Sequence, residues 1–266
     1  MAYKVVLKIS ISKNALKIGE FKYEPEIDAL SYTGPYLFPV QFRVSNGLKD
    51  IEVTPAFLKL PSILRGGLNL DILRREIVVM KLALQGSLLL HASCVNNTLI
   101  VGFPNSGKTY RTYKAVSEGA KLISEEYTLI KNGIASPYRN TARSCLSLRT
   151  IKACKMPMTI KEWGDLFLRT IRAKLLPFLF EAVIWKEIPL SGESAKVKRI
   201  VYGSTNCTIK DYRTLIILTD NEFPFSCNAF LQAYAMCSGL DLLDIQTKQR
   251  QLIKEFVDAV YTSAKS

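Results

Sequence analysis

The stretch "TLIVGFPNSGKTYRTY", residues 98–113, decides the fold of this 266-residue chain. An apolar run leads into Gly102, and Gly107, Lys108 and Thr109 complete the pattern G-x-x-x-x-G-K-T. The pattern binds phosphate when a strand leads into the loop and a helix follows it. Backbone N–H groups surround the β-phosphate, and the helix N-terminus adds a favourable dipole. The stretch therefore predicts a nucleotide-binding α/β core.

The side chains of the loop predict which atoms bind the nucleotide. Lys108 can reach the β- and γ-phosphate oxygens, and the Thr109 hydroxyl can ligate Mg²⁺. The predicted nucleotide-binding residues are Gly102, Asn105, Ser106, Gly107, Lys108 and Thr109.

A phosphate loop also needs a carboxylate nearby, to hold Mg²⁺ and to activate a nucleophile. Glu125 and Glu126 follow the apolar segment "AKLIS", and Asp220 ends "TLIILTD". Adjacent residues on a strand point to opposite faces, so only one glutamate can be a ligand unless the strand ends between them. The glutamates would otherwise be an exposed turn pair, and Asp220 would be a helix cap. The residues alone leave both places open.

The single histidine of the chain, His91, precedes the loop in "SLLLHASCV". The alternation of this segment predicts a strand beside the strand that leads into the loop. His91 is then either a hydrogen-bonded strand residue or a proton-handling partner of an active-site carboxylate.

Composition limits the classes of protein. Hydrophobic residues make up 48% and charged residues 22%, and no apolar run of about 18 uncharged residues occurs. We expect a cytoplasmic protein without a membrane partner. The net charge of +13 indicates a polyanionic partner, such as nucleic acid, an acidic protein or an anionic membrane surface, or else a solvated surface rich in lysine and arginine. Six scattered cysteines without a C-x-x-C pair predict buried free thiols rather than a zinc site.

The first 84 residues have β character. "YKVVLKISIS" alternates as a strand does, and "PVQFRVSNGLKDIEVTP" predicts two strands around an Asn-Gly turn. "GLNLDILRREIVVMKLALQG" has helical spacing, with Asn69 or Asp71 as N-cap and Gly86 as the stop. We expect a β-rich region over residues 1–84 and a second domain over residues 85–266.

Segments after the loop alternate between strand and helix patterns. "KTYRTYKAVSEG" predicts a helix ending at Gly119, and "AKLISEEYTLIKNGIASP" predicts strands around a Lys-Asn-Gly turn. "IKEWGDLFLRTIRAKLLPFLFEAVIW" has helical spacing with a break at Pro177. "KRIVYGS" and "YRTLIILTD" predict strands, and the chain is helical from "NAFLQAYAM" onward.

Three segments, "LLLHASCV", "LIVGFPNSGKT" and "EGAKLISEEYTLIKNG", together resemble the HPr serine kinase/phosphorylase family, over residues 88–133. That family shares its fold with phosphoenolpyruvate carboxykinases. Its members place a histidine-bearing strand before the phosphate loop and a carboxylate pair, usually Asp-Asp, after the next helix. The resemblance implies an α/β protein with a P-loop HPr-kinase/phosphoenolpyruvate-carboxykinase-like core behind the β-rich N-terminal region.

The resemblance also implies roles for individual residues. Lys108 would bind the phosphates of ATP, and Thr109 would hold Mg²⁺. Glu125 would be the general base near the substrate hydroxyl, and Glu126 a metal ligand. His91 would lie beside the acidic pair.

Two arginines in the basic stretch "RNTARSCLSLRTIKACK" are candidates for neutralising the transferred phosphate, as the resemblance implies. They are Arg139 and Arg143, which would otherwise be solvated loop residues.

The predicted function is transfer of the γ-phosphoryl group of ATP to a hydroxyl of a protein serine or a small molecule. One alternative is a nucleic-acid-associated NTPase, which the +13 charge and Asp220 favour. Another is a regulatory module that binds nucleotide without turnover, because Glu-Glu replaces Asp-Asp. The apolar helices around 163–185 and 229–245 would form either a homo-oligomer interface or core.

Overall fold

The structure is a computed structural model with mixed α/β architecture, in which several sheets are combined with helices. It describes residues 20–24, 26, 29–33, 41–45, 50–53, 70–103, 105–139, 141–175, 182–203, 205–219 and 229–262. The chain divides into two compact units. The first contains residues 1–85 and 223–248, and the second contains residues 86–222 and 249–266.

A four-stranded antiparallel sheet characterises the first unit. Its strands β1 (Glu20–Glu24), β2 (Ala29–Thr33), β3 (Gln41–Ser45) and β4 (Asp50–Val53) lie in chain order. The pairing of β3 with β4 confirms the two strands predicted around the Asn-Gly turn. The predicted strand "YKVVLKISIS" lies outside the described residues.

The helices of the first unit are α1 (Leu70–Leu84), α6 (Ala229–Ser238) and the beginning of α7 (Leu242–Thr262). In α1, Ile77, Met80 and Ala83 are buried at the spacing of one helical face. The stop at Gly86, with φ of 70°, is confirmed. Asp71 lies inside α1, so its prediction as N-cap is wrong, and Asn69 lies outside the described residues.

The second unit carries ten described strands. They are β5 (Leu88–Leu90), β6 (Ser93–Val95), β7 (Thr98–Val101), β8 (Leu122–Ser124), β9 (Thr128–Lys131), β10 (Ile134–Pro137), β11 (Thr141–Ser147), β12 (Val183–Pro189), β13 (Ala195–Lys196) and β14 (Arg199–Tyr202). One sheet has the order β13-β10-β9-β5, another has the order β14-β7-β6-β8, and β11 pairs with β12. Among these pairs only β14 and β7 are parallel.

Two segments of chain cross between the larger sheets at the same place. The chain leaves β5 at Leu90 and enters β6 at Ser93, and it leaves β8 at Ser124 and enters β9 at Thr128. Leu90 pairs with Thr128, and Cys94 pairs with Ser124. The topology therefore brings residues 91–92 and 125–127 side by side.

Each crossing contains a three-residue turn. The Ala92 N–H donates to the Leu90 carbonyl at 2.9 Å, and the Tyr127 N–H donates to the Glu125 carbonyl at 2.8 Å. The Thr128 hydroxyl donates to the Ala92 carbonyl at 2.7 Å and joins the crossings. The prediction of one continuous strand through "SLLLHASCV" is therefore wrong, because the turn at His91 divides it between two sheets.

The helices of the second unit are α2 (Lys108–Ser117), α3 (Leu148–Ala153), α4 (Ile160–Leu175), α5 (Tyr212–Leu218) and the end of α7. Helix α2 and its stop at Gly119, with φ of 95°, confirm the prediction. The helix predicted from residue 160 to residue 185 is too long at its C-terminal end, because Ile184 and Trp185 lie in strand β12. Pro177 lies outside the described residues.

Helix α5 contradicts the predicted strand in "YRTLIILTD". The Asp211 carboxylate accepts hydrogen bonds from the backbone N–H groups of Arg213 and Thr214 and caps the helix. Leu215 and Leu218 are buried. A short continuous apolar run fits a buried helix as well as a strand, so periodicity alone could not separate them.

The strand that leads into the phosphate loop is buried on both faces. Leu99 and Val101 of β7 belong to one hydrophobic cluster, with β5 and α7, and Ile100 belongs to another, with Tyr113 and Leu166. The loop after Val101 is thus anchored by a strand fixed on two sides. The predicted Lys-Asn-Gly turn is confirmed by positive φ at two successive residues, Asn132 and Gly133.

The five described cysteines are free thiols. Cys94 and Cys154 are buried as predicted, Cys145 and Cys237 are partly buried, and Cys207 is exposed. None of the helices in the described part of the chain is long and apolar enough to cross a bilayer.

Candidate active site

The segment predicted to be the phosphate loop has positive φ angles in its backbone. Asn105 and Gly107 have φ values of 64° and 88°, and α2 begins at Lys108 directly afterwards. None of the described side chains caps this end of α2. Helix N-termini present N–H groups to anions, so the local geometry suits a phosphate.

Two glycines allow the loop to pack against the end of β14. A Cβ atom built on Gly102 would lie 2.4 Å from the Ser106 Oγ, and one on Gly203 would lie 2.3 Å from the Ser106 carbonyl oxygen. The Gly203 N–H also donates to the Val101 carbonyl at 2.6 Å. Any side chain at Gly203 would displace the loop. Sequence reasoning missed Gly203, whose only signal is a glycine at the end of a strand.

Lys108 is partly buried and folds back over the loop. Its Nζ donates to the Gly102 carbonyl oxygen at 2.5 Å. Its positive charge also lowers the pKa of Glu125. The structure therefore brings together two of the predicted catalytic residues, one from α2 and one from the turn after β8.

Glu125 is a buried carboxyl group, 7% exposed. Burial raises its pKa to about 7 and the charge of Glu126 adds to this, whereas the Ser144 hydrogen bond and Lys108 lower it. The Ser144 hydroxyl donates to Oε2 at 2.8 Å. A carboxyl group with a pKa near neutrality can accept or release a proton at physiological pH.

Sequence reasoning missed Ser144 and Tyr113, which extend this hydrogen-bonded chain. The Tyr113 hydroxyl of α2 contacts the Ser144 hydroxyl of β11. When Ser144 gives its single proton to an ionised Glu125, the Tyr113 phenol must be the donor to Ser144. Burial and the charge of Glu125 both raise the pKa of Tyr113, which keeps the phenol protonated. Ser144 is one of the alternately buried residues of β11, and this alternation is the signal that could have identified it.

Glu126 occupies the centre of the turn that closes on Tyr127. Its φ is 67°, a conformation that non-glycine residues adopt rarely and that costs about 1–3 kcal/mol. Strand β8 ends at Ser124, before both glutamates. The rule that adjacent residues of a strand point to opposite faces therefore does not apply to this pair.

Thr109 and Glu126 fit the chemistry of a magnesium site. A hydroxyl and a carboxylate are the hard oxygen donors that Mg²⁺ prefers, with phosphate oxygens and water completing its shell. Across the described residues, no three His, Cys, Asp or Glu side chains form a metal-binding cluster. A site completed by nucleotide phosphates does not need such a cluster.

His91 lies in the first crossing turn and stacks on the Tyr127 ring, with the ring centroids 5.4 Å apart and the planes at 30°. Tyr127 is two residues from Glu125. The structure therefore places His91 beside the turn that contains Glu125 and Glu126, in contact with Tyr127, the last residue of that turn.

The structure describes the side chain of only one of the two arginines predicted to neutralise phosphate. The Arg139 guanidinium is exposed and lies 5.9 Å from the centre of the Tyr138 ring. The backbone of Arg143 is in β11 and pairs with Glu187, whereas its side chain lies outside the described part. Arg149 of α3, which sequence reasoning did not single out, lies over the Tyr110 ring at 5.4 Å, in the first turn of α2. Asp220 lies outside the described residues.

Comparison with known proteins gives no relative. No family model matches the chain, and no curated protein or solved structure matches it either. The resemblance over residues 88–133 thus stays a prediction from the sequence.

Proposed function

We propose that the protein is an ATP-dependent kinase with an HPr-kinase/phosphoenolpyruvate-carboxykinase-like P-loop core. It transfers the γ-phosphoryl group to a hydroxyl of a protein serine or a small molecule. The observation that carries the proposal is the buried Glu125 carboxyl group, which has a pKa of about 7 and interacts with the loop lysine Lys108.

Phosphate binding is assigned to the loop and the start of α2. The Lys108 ammonium moves from the Gly102 carbonyl to the β- and γ-phosphate oxygens when nucleotide binds. Thr109 and Glu126 would hold Mg²⁺, which would neutralise charge on the phosphates. These groups stabilise the charge that spreads over the transferred phosphoryl oxygens.

Proton transfer is assigned to Glu125. The substrate hydroxyl attacks the γ-phosphorus in line, its O–H proton passes to the Glu125 carboxylate, and ADP leaves. Because Ser144 occupies Oε2, Oε1 receives the proton. Tyr113 and Ser144 keep the carboxylate in one orientation throughout.

The described strands favour the glutamates over Asp220 as the acidic partner. In P-loop proteins a neighbouring parallel strand commonly ends in the metal-binding carboxylate. Here that strand is β14, and it ends in Tyr202 and Gly203. The segment before Asp220 is helix α5, not a strand.

The proposed use of ATP places the reaction in the cytoplasm, and the free thiols agree with a reducing compartment. A homo-oligomer stays a prediction, as does a nucleic-acid partner.

Three proteins test the proposal: the native chain, Lys108→Ala and Glu125→Gln, with γ-labelled ATP and a panel of hydroxyl acceptors. We expect Lys108→Ala to lose ATP binding in calorimetry. Glu125→Gln should keep ATP binding and lose transfer by about 10²–10⁴-fold, as removal of a general base does. Glu193→Gln is the matched control, because this exposed carboxylate pairs only with Lys121 among its described contacts.

Other results would select the alternatives. Full transfer by Glu125→Gln would contradict the assigned base. ATP binding by the native chain with neither hydrolysis nor transfer would select the regulatory module. ATP turnover stimulated by nucleic acid, without a labelled acceptor, would select the NTPase.

A further inference from the structure

Helix α4 has a wide apolar face whose large side chains are each 40% or more exposed. Its exposed large side chains include Ile160 (93%), Leu175 (73%) and Phe167 (66%). Together with the others they form what we call the apolar face of α4: Ile160, Trp163, Phe167, Leu168, Ile171 and Leu175. At about 100° per residue these positions cover an arc of about 140°. Exposed apolar patches rimmed by polar residues mark interaction surfaces.

The helix is docked on the protein by its other side. Leu166 is 2% exposed, and the Glu162 carboxylate pairs with Lys186 of β12 at 3.1 Å. Lys186 also donates to the Pro157 carbonyl at 2.5 Å. The apolar face is therefore held outward by a fixed helix.

Basic side chains lie nearer the apolar face than acidic ones. Measured around the helix axis from the centre of the face, Lys174 lies about 50° to one side and Lys161 about 90° to the other. Arg172 follows at about 110°, and Asp165 lies farther away at about 130°. Lys161, Arg172 and Lys174 are exposed. Lys174 therefore lies within the arc of the face, between Trp163 and Phe167. Lys161 and Arg172 lie along one of its edges.

We propose that α4 lies on an anionic lipid surface without spanning the bilayer, which replaces the expectation that the protein has no membrane partner. The apolar face enters the boundary between headgroups and acyl chains, and Lys161 and Lys174 extend their ammonium groups to the lipid phosphates. A helix with aromatic and aliphatic residues on one side and basic residues within and beside that side has the pattern of such interfacial helices. The net charge of +13 attracts the whole chain to the same surface.

Charge argues against a second copy of this chain as the occupant. An antiparallel pair centred between Phe167 and Leu168 would set the Lys161 end of one helix against the Lys174 end of the other. A parallel pair would bring each lysine next to its own copy. Two chains of net charge +13 also repel each other. The proposal concerns surface contact and does not depend on the phosphotransfer activity.

Vesicle co-sedimentation with the full chain tests the apolar contact. We expect binding to phosphatidylcholine vesicles that contain phosphatidylserine and little binding to phosphatidylcholine alone. Trp163→Ser combined with Phe167→Ser should weaken binding by more than about tenfold. Met236→Ser is the matched control, because Met236 is 74% exposed on a different helix.

A second pair of variants tests the contribution of the positive charges near the apolar face. Lys161→Gln combined with Lys174→Gln should weaken binding by roughly thirtyfold, since each basic residue near an anionic surface contributes about 1 kcal/mol. Lys114→Gln combined with Lys131→Gln removes the same charge from exposed positions on α2 and β9 and should have a smaller effect.

Tryptophan fluorescence tests the lipid contact in a protein whose apolar face is left intact. The chain has two tryptophans, so Trp185→Phe leaves Trp163 as the reporter. Its emission should shift to shorter wavelength with anionic vesicles and stay unchanged with neutral ones. Absence of that shift would overturn the proposal even if the serine variants failed to fold.

Other outcomes also decide against a lipid occupant. Equal binding of the native chain and the serine variants to vesicles and to soluble poly-glutamate would show a purely electrostatic attraction. A dimer in light scattering that the serine substitutions dissolve, with no vesicle binding, would assign the face to a second copy.

Discussion

Glu125, the general base of the proposed reaction, is buried in the folded state at a cost in free energy. Burial raises its pKa from 4.5 to about 7, so the fold disfavours the charged form that a general base must use. Lys108 and Ser144 offset part of that cost by stabilising the anion. Perturbed carboxyl groups of this kind cluster at functional sites.

Replacing Glu125 by glutamine should stabilise the protein at high pH. Below the unfolded pKa of 4.5 both states bind the proton, and above about 7 both release it, so the native chain loses stability as pH rises between these values. The difference of about 2.5 pH units corresponds to roughly 3 kcal/mol. Chemical unfolding at pH 4 and pH 8 checks this, because Glu125→Gln should gain stability relative to the native chain only at pH 8. An equal gain at both values would contradict a raised pKa.

Removing the Ser144 hydroxyl should move the pH profile of transfer. The hydrogen bond from Ser144 favours the anion of Glu125, so Ser144→Ala should raise the pKa of Glu125 above about 7 and shift the rising limb of activity to higher pH. Ser136→Ala on β10 serves as the control, since Ser136 lies outside this chain of hydrogen bonds. Activity that falls equally at every pH would indicate a structural role alone.

At this scale the sequence singled out the residues of the motif and missed those that contact them. Lys108 follows from the glycine pattern, whereas the residues alone left Glu125 open beside Asp220, and the resemblance selected the glutamate. Tyr113 and Ser144 are 31 positions apart, and only the packing of α2 against β11 joins them. No local pattern encodes such a contact.

Among the elements, the phosphate loop depends on a strand distant in sequence. Gly203, at the end of β14, lies against the Ser106 carbonyl because it has no Cβ. The guanidinium of Arg111, on α2, binds the carbonyls of Gly203 and Thr205. The loop after β14 is thus tied to both the phosphate loop and its helix.

Gly203→Ala should therefore weaken ATP binding by more than about tenfold, which corresponds to about 1.4 kcal/mol. The new Cβ would lie 2.3 Å from the Ser106 carbonyl oxygen and displace the loop. Gly192→Ala is a matched control, because Gly192 also has positive φ, at 70°, but nothing lies within 4 Å of the added Cβ. Calorimetry with ATP compares the two, and equal affinity would show that the contact does not shape the loop.

Elements with local signals were predicted well, and those set by tertiary contacts were not. Positive φ at Asn132 and Gly133 follows from residue type, as does the stop of α2 at Gly119. The division of "SLLLHASCV" at His91 follows from pairing with two different sheets. Helix α5 depends on the Asp211 cap and on burial of Leu215, neither of which the apolar run reveals.

For the whole molecule, the two compact units are interleaved along the chain. Residues 223–248, including α6, belong with the first unit, although residues on both sides belong to the second. Leu231 and Tyr234 of α6 are fully buried. Composition could predict the size of the core but not which segments share it.

This interleaving predicts the behaviour of a chain truncated to residues 86–266, which corresponds closely to the domain expected from the sequence. Removing residues 1–85 takes away the sheet and α1, with which α6 forms one compact unit, so we expect Leu231 and Tyr234 to become exposed. Exposing these two side chains costs several kcal/mol, a large share of typical domain stability. We expect the truncated chain to bind more hydrophobic dye than the full chain, which already exposes the apolar face of α4, and to aggregate in size-exclusion chromatography, whereas the full chain does not aggregate. The additional substitutions Leu231→Ser and Tyr234→Ser should reduce dye binding by the truncated chain. A monomeric, cooperatively unfolding 86–266 chain would show instead that the second unit folds without the first.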